Sequence, residues 1–582
     1  MGPTPTPSPG PRPSSGSGAG DATPPGAPAG RSREALLVAA LVLVALALRL
    51  PTLGDQSLWL DEVYTGRIVD GSLGHVWSTI QRTENTPPLF YLLDWLWSRA
   101  FGTGDAALRG LSALAGSLAV LPVVRLLRTV GEDVSRDVRE DGRDSDNRAY
   151  AQAAAVGAGA GRRPPVTVGS SSPADWAGRF AAGLVGALGR PAVGAGFRLP
   201  LLFVLVAGGL VAVNPLAHWF SQEARSYALF VLVSAIAWVA LLRAAGRPTT
   251  RSLWLWGVAA VAAAWTHYFG VVLLLVGWAA VAVVLGAGAA GRRRAALRPM
   301  VPPAVVSAVG VAILAPIAVN QRSTGMYEAI SAVKGLPARI VETPKQFAVG
   351  YNAPAEVLVG AIVVLVLVVL VAAGAWPRCG RATRGTVLLG LTGTVWVLPM
   401  VPLVVGFDVV LTRNFVLLIP PLIVLAALGA WRIGRRGVVA AGAVALVQFA
   451  IIVLVAVTPT YQREDWRGLM RAAEAGQPGP ELLLIGAYQE PAATYYSPTL
   501  VAPDLAQPLA VRSVAVVDRL ADGKPLKPVD PPPPPAGFTL ARMKQRDQWR
   551  VFVWTAPIPT VIAPGFADAL APTSPRTPVL RP

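Results

Sequence analysis

The chain has 582 residues, 53% of them hydrophobic and only 14% charged, against roughly 25% charged in an ordinary soluble domain. Mean hydropathy is +0.51, and apolar runs repeatedly reach the ~20 residues that cross a bilayer, so the sequence reads as a polytopic helical membrane protein. The net charge of +18 comes from arginines gathered between apolar runs, a topology signal and no sign of a nucleic-acid partner; the single cysteine, Cys379, excludes a disulfide framework and a cysteine metal site.

Residues 1–33 are rich in Pro, Gly and Ser and predict a disordered cytoplasmic tail. The run Ala35–Leu50 has basic residues before it and no small-residue cleavage site after it, so it is expected to stay as the first helix. Residues 54–103 form the first external loop. Within it, Pro87–Phe101 contains Asp94 and two tryptophans and is too short to span, so it predicts a juxtamembrane or half-inserted helix. Further spans are expected at 104–127, 198–215, 226–243, 253–267, 269–289, 301–319, 355–376, 386–406, 413–431 and 437–459. Residues 128–175 read as a polar cytoplasmic insertion, and the Gly/Ala-rich stretch 176–196 is too weakly apolar to assign.

Alternate connections carry the arginines: Arg243/Arg247/Arg251, Arg292/Arg293/Arg294/Arg298, Arg378/Arg381/Arg384 and Arg432/Arg435/Arg436. By the positive-inside rule these connections and the N-terminus face the cytoplasm, with about 11–13 transmembrane helices in a plasma-membrane protein. Residues 460–558 change character, with a helix near Glu464–Ala475 and strands near Leu482–Ala487, Val511–Val517 and Trp549–Trp554. They predict a small extracytoplasmic α/β domain, followed by a disordered tail over 559–582.

A few polar clusters remain on the external side. Asp61 and Glu62 are adjacent acids among Leu58, Trp59, Leu60, Val63 and Tyr64, costly at a membrane edge unless they bind or react; the plainer reading is helix capping. Glu84 precedes Pro87-Pro88, where it could equally serve a helix dipole. The connection Asn214–Tyr227 concentrates His218, Gln222, Glu223, Arg225 and Tyr227 where a simple turn would do, although Glu223 and Arg225 could be a local ion pair. His267 lies among aromatics as a ligand or an interfacial anchor, and Arg413 opens a late span, to snorkel or to grip a phosphate. No Gly-x-x-x-x-Gly-Lys-Ser/Thr loop is present, and three histidines are too few for dense metal ligation. Carboxylates, arginines and aromatics suit general-base activation of a hydroxyl beside a phosphate leaving group.

Leu58-Trp-Leu-Asp61-Glu62, Glu84 before Pro87-Pro88-Leu-Phe-Tyr91, Phe101-Gly-x-Gly-Asp-x-Ala-Leu-Arg109, Ser221-Gln-Glu-Ala-Arg225-x-Tyr227 and Thr266-His-Tyr-Phe-Gly270 occur in that order. Together, over residues 35–470, they resemble the GT-C fold glycosyltransferases of the protein O-mannosyltransferase and aminoarabinose-transferase type. The resemblance implies a polyprenyl-phosphate-linked sugar donor and an extracytoplasmic active site. It implies Asp61 as the base, with Glu62 supporting it or binding the donor, and a donor or phosphate site formed by Glu84, Glu223, Arg225, Tyr227, His267 and Arg413. Thr86 stands where many relatives carry His, and Glu464-Asp465-Trp466-Arg467 matches the approach to their external domain. The acceptor is left open among glycan, lipid and protein, the sugar between mannose and arabinose. Paired acids also admit a divalent cation held through water. A transporter or binding protein for lipid-linked sugars is the alternative, but such a protein would place its charges at mid-membrane.

Overall fold

The computed structural model describes residues 2, 29–131, 200–287, 292–322, 335–377, 382–405, 408–475, 481–486, 489–501, 509–519, 530–562 and 576–580. The tail before Ala29, nearly all of the insertion at 128–175, the stretch 176–196 and the turn at Cys379 lie outside the described residues.

The chain is a multi-pass helical membrane protein with a small C-terminal sheet. Among the described residues, eight helices are long and apolar enough to cross a membrane: Asp105–Gly131, Tyr227–Gly246, Gly270–Ala287, Arg293–Arg322, Glu356–Ala375, Arg384–Val401, Thr412–Ile433 and Arg435–Val457. A ninth is the pair Leu201–Ala212 and Pro215–Ser221, bent by 53°. Two helices at spans expected from the sequence fall short of this measure. One is α1 (Ala29–Arg49), whose apolar run is bounded closely by Arg33, Glu34 and Arg49; the other, Thr250–Thr266, has only 17 residues. The bend replaces the straight span expected at 198–215. Pro215 brings no N–H, and the Asn214 side chain caps the new helix by accepting from the Ala217 N–H at 2.9 Å.

The first loop folds into three short helices: α2 (Leu60–Asp70), α3 (Leu73–Thr83) and α4 (Leu89–Phe101). Asp61 and Glu62 fill the first turn of α2, where the helix dipole favours acids. Ser72 caps α3 by accepting from His75 N–H at 3.3 Å. α4 starts behind Pro88 and stops at Gly102, whose φ of +84° is open to glycine. It has 13 residues, fewer than the ~17–25 of a spanning helix. The helix α5 begins at Asp105 and brings Arg109 beneath the loop.

Past Trp466–Glu474 the chain forms a five-stranded sheet of β1 (Leu482–Gly486), β2 (Leu509–Arg519), β3 (Thr539–Gln545), β4 (Trp549–Ile562) and β5 (Arg576–Leu580), in the order β3-β4-β2-β1-β5. β1 and β2 are parallel, and the remaining pairs are antiparallel. The sheet overturns the boundary expected at 558: β4 runs on to Ile562, and β5 lies inside the expected tail. Pro557, Pro559 and Pro578 disguise these segments, since proline is tolerated only at sheet margins, and β5 is an edge strand. The first loop and this domain share one core, in which Val63, Ile68 and Val69 of α2 join Trp466, Leu469, Ile485, Ala515 and Val551.

Within the bundle, Glu356–Ala375 packs on Thr412–Ile433 through glycine. A Cβ added at Gly429 would overlap the Leu370 carbonyl, and one at Gly374 the Leu425 carbonyl. Lipid gives no hydrophobic drive between helices, so such close backbone packing holds them together. Gly429→Val should push these helices apart at a cost of about 1–3 kcal/mol or more, read as a lowered apparent Tm in micelles.

Candidate functional site

The site lies where the first turn of α2, the start of α4, the connection 222–226 and the start of Thr412–Ile433 converge. Asp61 and Glu62 are adjacent, yet they face different surroundings. Glu62 is fully buried. Arg109 donates to both its oxygens, from Nε to Oε1 at 2.7 Å and from Nη2 to Oε2 at 2.5 Å. The Ala224 N–H also donates to Oε1, at 2.8 Å. Arg109 spends its other donors on the carbonyls of Leu53, Gln56 and Ser57 at 2.7–2.9 Å, so all five of its N–H groups are engaged. Burial pushes the Glu62 carboxyl up, but Arg109, Arg463 and the Ala224 N–H outweigh it and leave the group below its ordinary range.

Asp61 is one quarter exposed, with its Oδ2 3.7 Å from Arg413 Nη1. Arg225 Nη1 reaches the Asp61 carbonyl at 3.4 Å and Glu84 Oε2 at 2.7 Å. The Tyr91 hydroxyl donates to the same Glu84 oxygen at 2.6 Å and lies 3.0 Å from Thr86 Oγ1. Glu84 is buried, and burial raises its carboxyl above the ordinary range against the pull of Arg225 and Tyr91. Glu84 with Arg225 and Asp61 with Arg413 are therefore two ion pairs, joined by the contact of Arg225 with the Asp61 carbonyl, and Asp61 and Arg413 keep exposed atoms.

No family model and no curated protein matches the sequence. In shape the chain is similar to ArnT from Cupriavidus metallidurans. In the structure of that protein bound to undecaprenyl phosphate, the identity is 14%, covering 90% of this chain and 98% of that one, with a TM-score of 0.44. The Archaeoglobus fulgidus oligosaccharyltransferase, solved with Zn and sulfate, gives 13% identity over 76% of this chain and 55% of that one, at a TM-score of 0.35. The oligosaccharyltransferase AglB of the same organism, with an inhibitory peptide and a dolichol-phosphate, gives 12% over 77% and 58%, at 0.34.

The other sequence candidates, Glu223, Tyr227 and His267, are buried. The His267 ring stacks on Phe230 at 4.9 Å and 17°. Its Nδ1 accepts the Phe269 N–H at 3.3 Å, which puts the ring proton on Nε2. Glu223 turns away from Arg225, its sequence neighbour, and pairs with Arg463 at 3.1 Å. Arg463 also donates to the carbonyls of Gln222 and Trp219 at 3.0 and 2.8 Å and covers the Trp219 ring at 4.1 Å. Arg109 stands in a motif noted above, whereas Arg463 carries no sequence signal beyond lying next to Glu464-Asp465-Trp466-Arg467. Among the described residues no group of three or more His, Cys, Asp or Glu side chains is placed to hold a metal ion.

Two predictions follow from these pairs. Arg109→Met strands the Glu62 charge in the interior, a loss of about 3–5 kcal/mol, seen as a large fall in apparent Tm. Glu223 is raised by burial from 4.5 to about 7, with Arg463 opposing and Glu62 and Asp61 reinforcing the rise. The folded chain then holds a proton that the unfolded chain releases, so this group opposes folding above pH 7 and the cost fades toward pH 4.5. On lowering the pH across that window, the apparent Tm of the wild type should rise relative to that of Glu223→Gln.

Proposed function

We propose that the chain is an integral membrane glycosyltransferase, moving a sugar from a polyprenyl-phosphate donor to an acceptor hydroxyl or amine on the extracytoplasmic face. The observation that carries this reading is the position of Asp61: a partly open carboxylate held among buried ion pairs and beside Arg413. Three of the motifs that resemble the GT-C enzymes support it by their contacts: Arg109 holds Glu62, and Arg225 joins Glu84 to the Asp61 carbonyl.

In this reading the acceptor proton passes to Asp61 as its oxygen or nitrogen attacks the anomeric carbon, and the bond from that carbon to the lipid phosphate breaks with its electrons going to the phosphate. Arg413 and Arg225 face the charge that develops on the departing group. Arg225 is already balanced by Glu84, so Arg413 is the freer cation. Glu62 supports the site and does not react, because Arg109 and Ala224 occupy both its oxygens. Tyr227 and His267 shape the wall behind. The orientation rests on arginine: Arg251, Arg292, Arg293, Arg294 and Arg298 are exposed and lie in the connections assigned to the cytoplasm.

Purified protein is incubated with radiolabelled mannosyl and arabinosyl undecaprenyl phosphate and a panel of glycan, lipid and peptide acceptors. Asp61→Asn should lower transfer by about 10²–10⁴-fold, the usual worth of a positioned base. Transfer by the variant at the wild-type rate removes Asp61 from this role. Donor binding without transfer by either protein, across the panel, favours a transporter or binding protein.

A further inference from the structure

The segment just before Asp61 is gripped by residues more than 400 positions away in sequence. The Leu58 N–H donates to the Tyr496 hydroxyl at 2.6 Å, and that hydroxyl donates to Asp105 Oδ2 at 3.0 Å. Asp105 is ion-paired with Arg467, whose guanidinium also reaches the Gly54 carbonyl at 3.3 Å. The Ser57 hydroxyl accepts from the Trp466 N–H and donates to the Glu464 carbonyl, both at 2.8 Å. Gln56 Oε1 accepts from the Arg463 N–H at 3.0 Å. At the other end of α2, Arg67 donates to the Pro491 carbonyl at 3.0 Å and to Thr494 Oγ1 at 2.7 Å. A Cβ on Gly66 would meet the Tyr495 ring at 3.3 Å. The Asp61 side chain takes no part in this network; its charged contact is with Arg413.

We infer that the C-terminal α/β domain acts as a clamp that sets the position of Asp61, with Tyr496 as the positioning residue. The catalytic part of this inference rests on the reading of Asp61 as the base; the clamp itself does not. The Tyr496 hydroxyl links the segment entering α2 to the Asp105–Arg467 pair, because it accepts on one side and donates on the other. Phenylalanine keeps the ring, which packs edge-on to Tyr495 at 5.2 Å, and removes both bonds. The buried Leu58 N–H then loses its acceptor, and the first turn of α2 is free to shift. A displacement of about 1 Å at a reacting group can cost 10²-fold in rate.

The test compares the full-length wild type with Tyr496→Phe, and with Ser57→Ala as a second cut in the same network. Amide hydrogen exchange over residues 60–64 is read alongside kcat and KM, with mannosyl and arabinosyl undecaprenyl phosphate as donors. The expected result for Tyr496→Phe is exchange raised about tenfold in that segment alone, kcat lowered about 10- to 100-fold and donor KM within about twofold of wild type. Ser57→Ala should move both readouts in the same direction. Unchanged exchange and kcat in both variants overturns the clamp. Exchange raised throughout the C-terminal domain, with KM rising as kcat falls, overturns the positioning role and leaves Tyr496 a residue of general stability. If the wild type transfers from neither donor while exchange over 60–64 still rises in the variants, the clamp stands and the enzymatic reading fails.

Discussion

A buried arginine that has used every donor it owns is the pivot of this molecule. Taking Arg109 and Glu62 out of water is expensive, and their attraction repays it only when the remaining polar atoms are satisfied too. Here they are: three backbone carbonyls complete the guanidinium, and the Ala224 N–H completes the carboxylate. The pair therefore does more than join two side chains. It fixes the chain entering α2 and the connection that ends in Arg225, and it does so from α5, which packs against both.

Around that pivot the charges divide into two groups. Glu62 with Arg109, and Glu223 with Arg463, are inward pairs that hold backbone in place. Glu84 with Arg225, and Asp61 with Arg413, are neighbouring pairs, of which the second keeps exposed atoms. Both pieces of the connection 222–226 follow from the bend at Asn214-Pro215, which turns the preceding helix so that Trp219 and Gln222 offer their carbonyls to Arg463. The proposed transfer needs both groups: a reactive carboxylate gains from being partly open, but only if its neighbours in sequence cannot move.

Much of this arrangement was legible from residue types. The bundle, the short α4, the α/β domain and the polar clusters could all be read from hydropathy, length and the rarity of acids near a membrane. The different fates of Asp61 and Glu62 could not, because adjacent helical residues point about 100° apart and the choice of which one turns inward belongs to Arg109, 47 residues later. Residue types alone allowed Glu223 and Arg225 to be a local pair; tertiary partners on either side, Arg463 and Glu84, separate them. Arg463 was hidden because its segment has the look of a linker. β5 was hidden by Pro578, and the exposed β3 by the want of any apolar alternation.

The bond from the Leu58 N–H to the Tyr496 hydroxyl joins residues 438 positions apart, and this bears on how the protein is made. At synthesis rates of roughly 5–20 residues per second, the first partner waits about 20–90 s for the second. During that interval the membrane helices insert and Glu62 can find Arg109, yet the start of α2 still lacks its far anchor. The segment beside that carboxylate gains its far anchor only once Tyr496 has been made, with β2 to β5 still to follow, so the first loop is completed late, while the C-terminal domain is being built.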